Sequence, residues 1–302
     1  MEDFVKKRLQ DARISATSLI FTIFGDTIAV HSGSVWLSSV IDVMEKFGVN
    51  ERLVRTSVYR LVKDGLLESE KIGRCSYYRF SDEGKRHSTI AAERIYASVA
   101  NDSAHEWTLA ITHQASDAKK LDELKRGLDW LGFSQLKPSV YGHPSGDLQA
   151  LEDLLAQYEL TDMVVLFSAS PSNNNSQNNL KQLVYDKWSL DEVTLHYKEF
   201  CQTYRSYMKK VQQKKLSPED AFLLRTMLIH EYRRVLLRDP QLPEEMLPVK
   251  WEGFTAHQIS KSIYLAITSE AEQYVREHFE NAQGKLPGPS RVYQKRFGGL
   301  NN

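Results

Sequence analysis

The chain has 302 residues and an ordinary hydrophobic fraction of 41%, so we expect two or three domains with sizeable cores. Its 39 Lys and Arg balance 39 Asp and Glu, which counts mildly against nucleic-acid binding by the chain as a whole. The two cysteines, Cys75 and Cys201, are far apart and in no metal-ligand spacing. This excludes a disulfide scaffold and predicts reduced thiols in a cytoplasmic protein. The N-terminus, Met1–Phe4, does not resemble a secretory signal.

The first predicted element is an apolar helix between Ser18 and Val30. The stretch is short for a membrane span, and Asp26 interrupts it. We therefore expect it to be the first core helix of an N-terminal domain, and we expect no contact with a membrane.

Two helices separated by a tight turn are predicted next. In the first helix, apolar residues recur at helical spacing: Trp36, Leu37, Val40, Ile41 and Met44. The turn is Phe47–Asn50, and Asn50 is a typical N-cap residue. The second helix then runs to Asp64 and Gly65, where it ends.

A β-hairpin is predicted directly after the second helix. Residues 66–71 and 75–80 are the two strands, and Gly73 supplies the turn between them. A helix, a turn, a helix and a hairpin in this order are typical of a winged-helix DNA-binding domain.

The outward face of the second helix is the candidate DNA-binding surface. Turning the residues by 100° each places Val54, Val58 and Leu61 on the inner side. The residues expected nearest the bases are Arg52, Arg55, Thr56 and Tyr59, and those expected to reach phosphates are Arg60 and Lys63. The hairpin adds Lys71, Arg74 and Arg79, which we expect along the backbone or the minor groove. The alternative is an ordinary solvated helix, but residues 50–80 carry seven Lys and Arg against four acidic residues.

The middle of the chain has the pattern β-α-β-β-α-β. The strands are predicted at 107–112, 133–136, 139–142 and 163–167, and the helices at 118–131 and 147–158. The order suggests a ferredoxin-like α/β sandwich. A linker is expected at Asn101–Ser103 and an exposed Asn-rich loop at Ser170–Asn179.

The remainder of the chain is predicted to be mostly α-helical. Helix starts are indicated at Ser189 and Ser269, which fit a capping box, and at Ser217, which precedes a proline. The tail from Gly284, which is rich in Gly and Pro, is expected to be mobile.

No catalytic or metal-binding motif is complete. His230 and Glu231 begin like a zinc-protease HExxH motif, but the fifth position is Arg234, so the second metal ligand is missing. No nucleophile elbow, P-loop, GxGxxG or paired-Cys zinc pattern is present. We therefore expect neither an enzyme nor a cofactor.

Three stretches of the sequence resemble the bacterial repressors of phenylacetic acid degradation, the PaaX-like regulators. They are Val54–Leu61 with Gly65–Leu67, His230–Arg234, and Asp239–Pro243 leading to Leu247–Gly253. The resemblance spans nearly the whole chain. It implies an α+β architecture with a winged helix-turn-helix at 1–101, a ferredoxin-like (Cas2-like) domain at 102–179 and an α-helical domain at 180–302.

The same resemblance implies a function. Members are dimeric repressors at palindromic operators, and phenylacetyl-CoA releases them from double-stranded DNA. The likeness to Cas2 also suggests nuclease activity as an alternative function. Such enzymes hold a metal through an Asp near the end of the first strand. Here that strand ends Ile111-Thr112-His113-Gln114, without an Asp.

The four polar residues Arg225, His230, Arg233 and Arg234 share one predicted helix and are the candidates for contacts with the phosphates of a CoA-type effector. The alternative is a structural role, in which an arginine of this helix pairs with a carboxylate. The alternatives for function are a regulator or activator that responds to another acyl-CoA, and an acyl-CoA-handling enzyme with a DNA-binding appendage.

Overall fold

A computed structural model describes residues 8, 14–97, 106–113, 118–144 and 146–300 of the chain. The chain divides into two compact units. The first unit combines Met1–Ser98 with Lys198–Leu236 and Phe254–Asn302, and the second combines Val99–Tyr197 with Leu237–Gly253. The three predicted domains stay a prediction, and the predicted linker at 101–103 lies outside the described residues.

The bounds of the helices and strands are as follows. The α-helices are α1 (Ala16–Ile23), α2 (Leu37–Lys46), α3 (Glu51–Lys63), α4 (Asp82–Tyr96), α5 (Ala118–Trp130), α6 (Leu148–Gln157), α7 (Asn174–Lys187), α8 (Leu190–Gln213), α9 (Pro218–Leu236), α10 (Glu252–His278) and α11 (Arg291–Gln294). The strands are β1 (Ser34–Trp36), β2 (Leu67–Ile72), β3 (Cys75–Phe80), β4 (Trp107–Thr112), β5 (Ser134–Lys137), β6 (Val140–His143), β7 (Val164–Ala169), β8 (Glu280–Asn281) and β9 (Gly284–Lys285).

The predicted first core helix is confirmed, with one irregularity. After α1 the helix widens into a π-helical turn, Phe24–Ile28, before a last α-helical turn at Ala29–His31. Such turns are rare and occur frequently at functional sites. The π-helical turn contains Asp26, whose side chain is buried.

The predicted hairpin is confirmed as β2 and β3. These strands pair antiparallel from Leu67 opposite Phe80 to Ile72 opposite Cys75. Gly73 has a φ of 61°, which glycine adopts without strain. β1 pairs with the other edge of β3, so the sheet order is β1-β3-β2. Trp36 lies in β1 and not in the helix that was predicted to contain it, because its backbone is extended where α2 begins.

The second unit contains the predicted β-α-β-β-α-β order of elements. The sheet is antiparallel throughout, and its strand order is β5-β6-β4-β7. Its core is built from buried apolar side chains of both helices and the sheet: Ala110, Leu124, Leu128, Phe133, Tyr141, Leu151, Leu155, Leu160 and Val164. The loop predicted at 170–179 is only partly correct, because Asn173 caps α7 by accepting a hydrogen bond from the backbone N–H of Ser176.

Of the helix starts predicted near the C-terminus, the one at Ser217 is confirmed and the one at Ser269 is wrong. Ser217 caps α9 by accepting a hydrogen bond from the backbone N–H of Asp220. Ser269 lies in the interior of α10, so the helix start predicted there is wrong. A capping box needs a non-helical residue at the cap, and here the residues before Ser269 already belong to the helix.

The tail was predicted to be mobile, and this prediction is wrong for the described residues up to 300. Tyr293, Arg296 and Phe297 are buried in the first unit. Among the described residues, no helix combines the length and the apolar composition needed to cross a membrane.

Candidate nucleic-acid interface

Helix α3 has a buried inner side and a capped start. Val54, Val58 and Leu61 are almost completely buried. Asn50 accepts a hydrogen bond of 2.9 Å from the backbone N–H of Leu53 and so satisfies one of the free N–H groups at the helix start. The predicted cap and the predicted inner side are confirmed, and together they fix which side chains point outward.

All the residues predicted to contact DNA are exposed. On α3 these are Arg52, Arg55, Thr56, Tyr59, Arg60 and Lys63. On the hairpin they are Lys71, Arg74 and Arg79. Tyr59 is the large aromatic of the set, and 70% of its surface is exposed. The outward face therefore presents cations, a hydroxyl group and an aromatic ring to solvent.

Two of these arginines form ion pairs on the surface. Arg55 Nη2 lies 2.6 Å from Glu51 Oε1, one helical turn away. Arg79 Nε lies 2.8 Å from Glu68 Oε1 on the neighbouring strand. Because more than 40% of each of the four side chains is exposed, solvent screens both pairs and phosphates or base edges can compete for them.

One exposed residue of α3 was missed by the sequence analysis. Leu53 is 47% exposed, and helical rotation places it on the same side of the helix as Arg60. The same 100° rotation that placed the arginines also places Leu53 away from Val54 and Leu61. An apolar side chain on a DNA-binding face can contact the methyl group of thymine.

Arg225, predicted as an effector contact, lies in the interior of the first unit. Its side chain is completely buried, and its Nη1 lies 2.7 Å from Glu272 Oε1 while its Nε lies 3.1 Å from Asp26 Oδ2. Burial alone would lower the pKa of Arg225, but the neighbouring Tyr293 and Asp26 keep it well above its usual value. Arg225 is therefore a permanently charged structural residue that no ligand can reach in this structure.

A second buried arginine comes from the tail. Arg296 Nη1 donates to Asp26 Oδ1 at 2.9 Å and to the Tyr264 hydroxyl at 2.6 Å. Tyr96 donates to the same carboxylate oxygen at 2.5 Å, and burial raises the pKa of Tyr96 well above its usual value. The carboxylate of the π-helical turn thus joins α4, α9, α10 and the tail.

His31 extends this network to Glu272. Its Nδ1 lies 2.6 Å from the carbonyl oxygen of Thr27, and its Nε2 lies 2.8 Å from Glu272 Oε2. The ring of His31 therefore bridges the backbone of the π-helical turn and the carboxylate of Glu272. We call Asp26, His31, Arg225, Glu272 and Arg296 the buried charge network.

His230 is also buried, but it is neutral. Its Nδ1 lies 3.0 Å from Thr22 Oγ1. Burial, with the charges of Arg233 and Arg234, lowers the pKa of His230 to about 3. The neighbouring Glu231 pairs with Arg8 at 2.7 Å, and no group of His, Cys, Asp and Glu that could hold a metal occurs among the residues that the structure describes.

The remaining two candidates for effector contacts differ from each other. Arg234 is exposed, whereas Arg233 is largely buried. Arg233 Nη1 donates to Thr22 Oγ1 at 3.2 Å, and its guanidinium lies over the ring of Phe21. The four candidates are therefore not brought together, and the contacts of Arg225 and His230 favour the structural alternative.

Comparison with known proteins covers the whole chain. Models of the PaaX-like family match residues 15–84 (PaaX-like protein), 101–182 (PaaX protein central Cas2-like domain) and 188–277 (PaaX-like protein C-terminal domain). The chain is 36% identical over 303 residues to the transcriptional repressor PaaX of Escherichia coli strain K12, covering 100% of this chain and 96% of that protein.

A solved structure shows the same fold at lower identity. It is an uncharacterized protein from Mycobacterium tuberculosis, 20% identical, with a TM-score of 0.52 over 83% of this chain and 96% of that chain. Since the three family models together span most of the sequence and the identity to the repressor extends over its full length, the chain belongs to the PaaX-like family.

Proposed function

We propose that the chain is a DNA-binding transcriptional repressor of phenylacetate catabolism genes, which acts as a homodimer at a palindromic operator and is released by phenylacetyl-CoA. The observation that carries the proposal is the outward row of Arg52, Arg55, Thr56 and Tyr59 on a helix whose other side is anchored in the core. The similarity to a transcriptional repressor over the full length supports the same function.

In this proposal α2 and α3 form a helix-turn-helix, and β2 with β3 forms its wing. Helix α3 enters the major groove, which is wide enough for an α-helix. Arg52 and Arg55 read base edges, since a guanidinium bonds guanine in two places, and Arg60 and Lys63 contact phosphates. Lys71, Arg74 and Arg79 of the hairpin lie along the backbone or the minor groove.

A homodimer follows from the proposed operator. One chain presents one reading helix, and a two-fold dimer presents two identical helices to two half-sites, so that a palindrome matches the symmetry of the protein. The dimer reaches its full affinity for the operator only when both of its subunits are bound to their half-sites. A ligand that disturbs either wing or the spacing of the helices therefore weakens the complex.

The proposed release needs only a modest difference in free energy. A coupling of about 1–3 kcal/mol between ligand and DNA lowers the affinity for DNA roughly five- to 150-fold.

The chain acts by binding in the cytoplasm and needs no cofactor and no catalytic residue. Turnover of the thioester would contradict this proposal.

The test is a titration of the purified full-length protein with duplexes that it selects from a random library. We expect one palindromic sequence to be enriched and its complex to dissociate on addition of phenylacetyl-CoA. Free phenylacetate and CoA are the matched controls, and the thioester is recovered intact afterwards. Failure to select any sequence contradicts the DNA-binding proposal, and a complex that resists phenylacetyl-CoA contradicts the proposed effector.

A further inference from the structure

A cavity of about 670 Å³ lies within the first unit, next to the β-hairpin. Its walls come from Ala29 and Val30 after the π-helical turn, Phe80 of β3, Ala92 of α4 and Val292 of the tail. The volume falls within the range of about 300–1,000 Å³ that is usual for small-molecule sites, and such sites are mostly apolar with a few placed polar groups. The cavity therefore has the size and the lining of a ligand site.

Cations surround the mouth of this cavity. Arg79, Lys85 and Lys295 line it and are exposed, and Glu93 is the acidic residue among the lining side chains that the structure describes. Lys85 forms an exposed pair with Asp82, 3.2 Å long. Such pairs exchange easily, so these cations can turn to an anionic ligand.

Arg233 lies next to this cavity without lining it. A small space of about 20 Å³ is lined by Arg233 and shares Gly25, Ser88, Ala92 and Tyr96 with the larger cavity. Arg233 forms no ion pair with a carboxylate in the part of the chain that the structure describes, and burial lowers its pKa. A space of this size holds about one small polar group, such as the carbonyl oxygen of a ligand.

We propose that this cavity is the effector site, which binds an anionic ligand with an apolar body, and that Arg79 is shared between this ligand and DNA. The inference rests on the proposed release by phenylacetyl-CoA. The phosphates of the thioester lie at Lys85, Lys295 and Arg79, the apolar part lies along Ala29 and Ala92, and the carbonyl group accepts a hydrogen bond from Arg233.

Strand β3 connects the proposed ligand site to the candidate DNA surface. Arg79 projects from β3 and belongs both to the candidate DNA surface and to the mouth of the cavity. The next residue, Phe80, is buried and lines the cavity wall. An anion at the mouth neutralises Arg79 and repels the nearby DNA phosphates, so ligand and operator compete without a large movement of the fold.

The first experiment measures binding of phenylacetyl-CoA to the full-length protein by calorimetry. We expect Ala92→Phe, which fills the cavity, and Lys295→Glu, which reverses an exposed charge at its mouth, to weaken binding by at least about tenfold, as for the loss of one hydrogen bond to a charged group. Lys209→Glu is the matched control, because Lys209 is an exposed lysine of α8 that does not line the cavity. We expect it to bind like the natural protein.

The outcomes separate this inference from the proposed function. If the natural protein is released from its operator by phenylacetyl-CoA and both cavity variants still bind the thioester with unchanged affinity, the location proposed here is wrong and the proposed function stands. If the natural protein does not bind the thioester, both are wrong. Circular dichroism identifies a variant that has lost its fold, and Lys295→Glu tests the site independently of Ala92→Phe.

A second experiment tests the shared arginine. We expect Arg79→Gln to lower operator affinity. It should also reduce the factor by which phenylacetyl-CoA weakens the complex, because the arginine for which ligand and DNA compete is gone. Arg74→Gln is the matched control, because Arg74 lies on the same hairpin but does not line the cavity. An undiminished effect of the ligand in Arg79→Gln would overturn the sharing of Arg79.

Discussion

The first unit uses arginine in two opposite ways. On α3 and the hairpin, arginines are exposed, and two of them pair with Glu51 and Glu68 in contact with solvent. In the interior, Arg225 and Arg296 are buried against Asp26 and Glu272. The surface arginines are therefore available for a partner, whereas Arg225 and Arg296 are held by carboxylates in the interior.

The physical difference is the environment of the two charges. An exposed pair contributes about 0.2–1 kcal/mol, because water and salt screen it. A buried pair is costly to form, but removing one partner leaves a desolvated charge and destabilises by about 3–5 kcal/mol. The buried charge network therefore holds the elements of the first unit together, while the outward face can exchange partners.

The largest expected effect tests the interior. Asp26→Asn removes the carboxylate between Arg225 and Arg296 and should lower the free energy of unfolding by about 3–5 kcal/mol. Urea denaturation followed by circular dichroism measures it. A loss below about 1 kcal/mol would mean that the buried arginines contribute no more than exposed ones.

The next effect tests the outward face. Arg55→Ala should reduce discrimination between operator and random DNA by about 1–3 kcal/mol if Arg55 reads a base. Lys63→Ala is the comparison. Loss of a phosphate contact should weaken the complexes with operator and with random DNA alike, and it should reduce the slope of the salt dependence by about 1. Unchanged selectivity in a quantitative shift assay would remove Arg55 from the base-reading residues.

The pH dependence of stability tests the neutral histidine of the interior. Burial lowers the pKa of His230 to about 3, whereas an unfolded histidine titrates near 6.5. The unfolded state therefore binds the proton first, and this part of the stability is complete above about pH 6.5 and declines as the pH falls toward about 3.

We expect this histidine to account for a loss of about 1 kcal/mol between pH 7 and pH 5.5. Unfolding of the natural protein and of His230→Gln at the two pH values measures the contribution, and the variant should lose less stability on acidification. An identical pH dependence in both proteins would show that His230 is not held neutral.

The smallest effect is expected for Glu51→Gln. Removing the partner of Arg55 on the exposed side of α3 should change the free energy of unfolding by less than about 1 kcal/mol. Affinity for DNA should rise slightly, because a negative charge near the phosphates is gone. If Glu51→Gln lost as much stability as Asp26→Asn, the exposed arginine pairs would contribute as much as the buried ones, and the distinction between them would be wrong.

The surface set was predictable from the sequence and the buried network was not. The period of Val54, Val58 and Leu61 fixes the inner side of α3, and every DNA contact predicted on α3 then falls on the exposed side, because helical rotation is a local property. Asp26 and Arg296 are separated by 270 residues, and no local pattern joins them. Charged residues are usually exposed, so the burial of Arg225 could not be expected from its residue type.

Similar limits explain the other differences. Ser269 has the residue types of a helix start, but packing of Ala256, Ile263 and Ala271 continues one helix through it. The tail has the Gly and Pro content of a mobile segment, yet Tyr293 and Phe297 are buried. Of the four predicted effector contacts, Arg233 lines a cavity, a property that depends on tertiary structure alone.

The link between Asp26 and Arg296 has a consequence for biosynthesis. While the ribosome is still making the chain, the first helix has emerged long before its distant guanidinium partner exists. Until residue 296 has been made, the Asp26 carboxylate has Arg225 as a partner but lacks its second arginine, so the interior of the first unit stays incomplete. Premature stop codons upstream of that point should consequently yield degraded polypeptides rather than truncated regulators that occupy promoters.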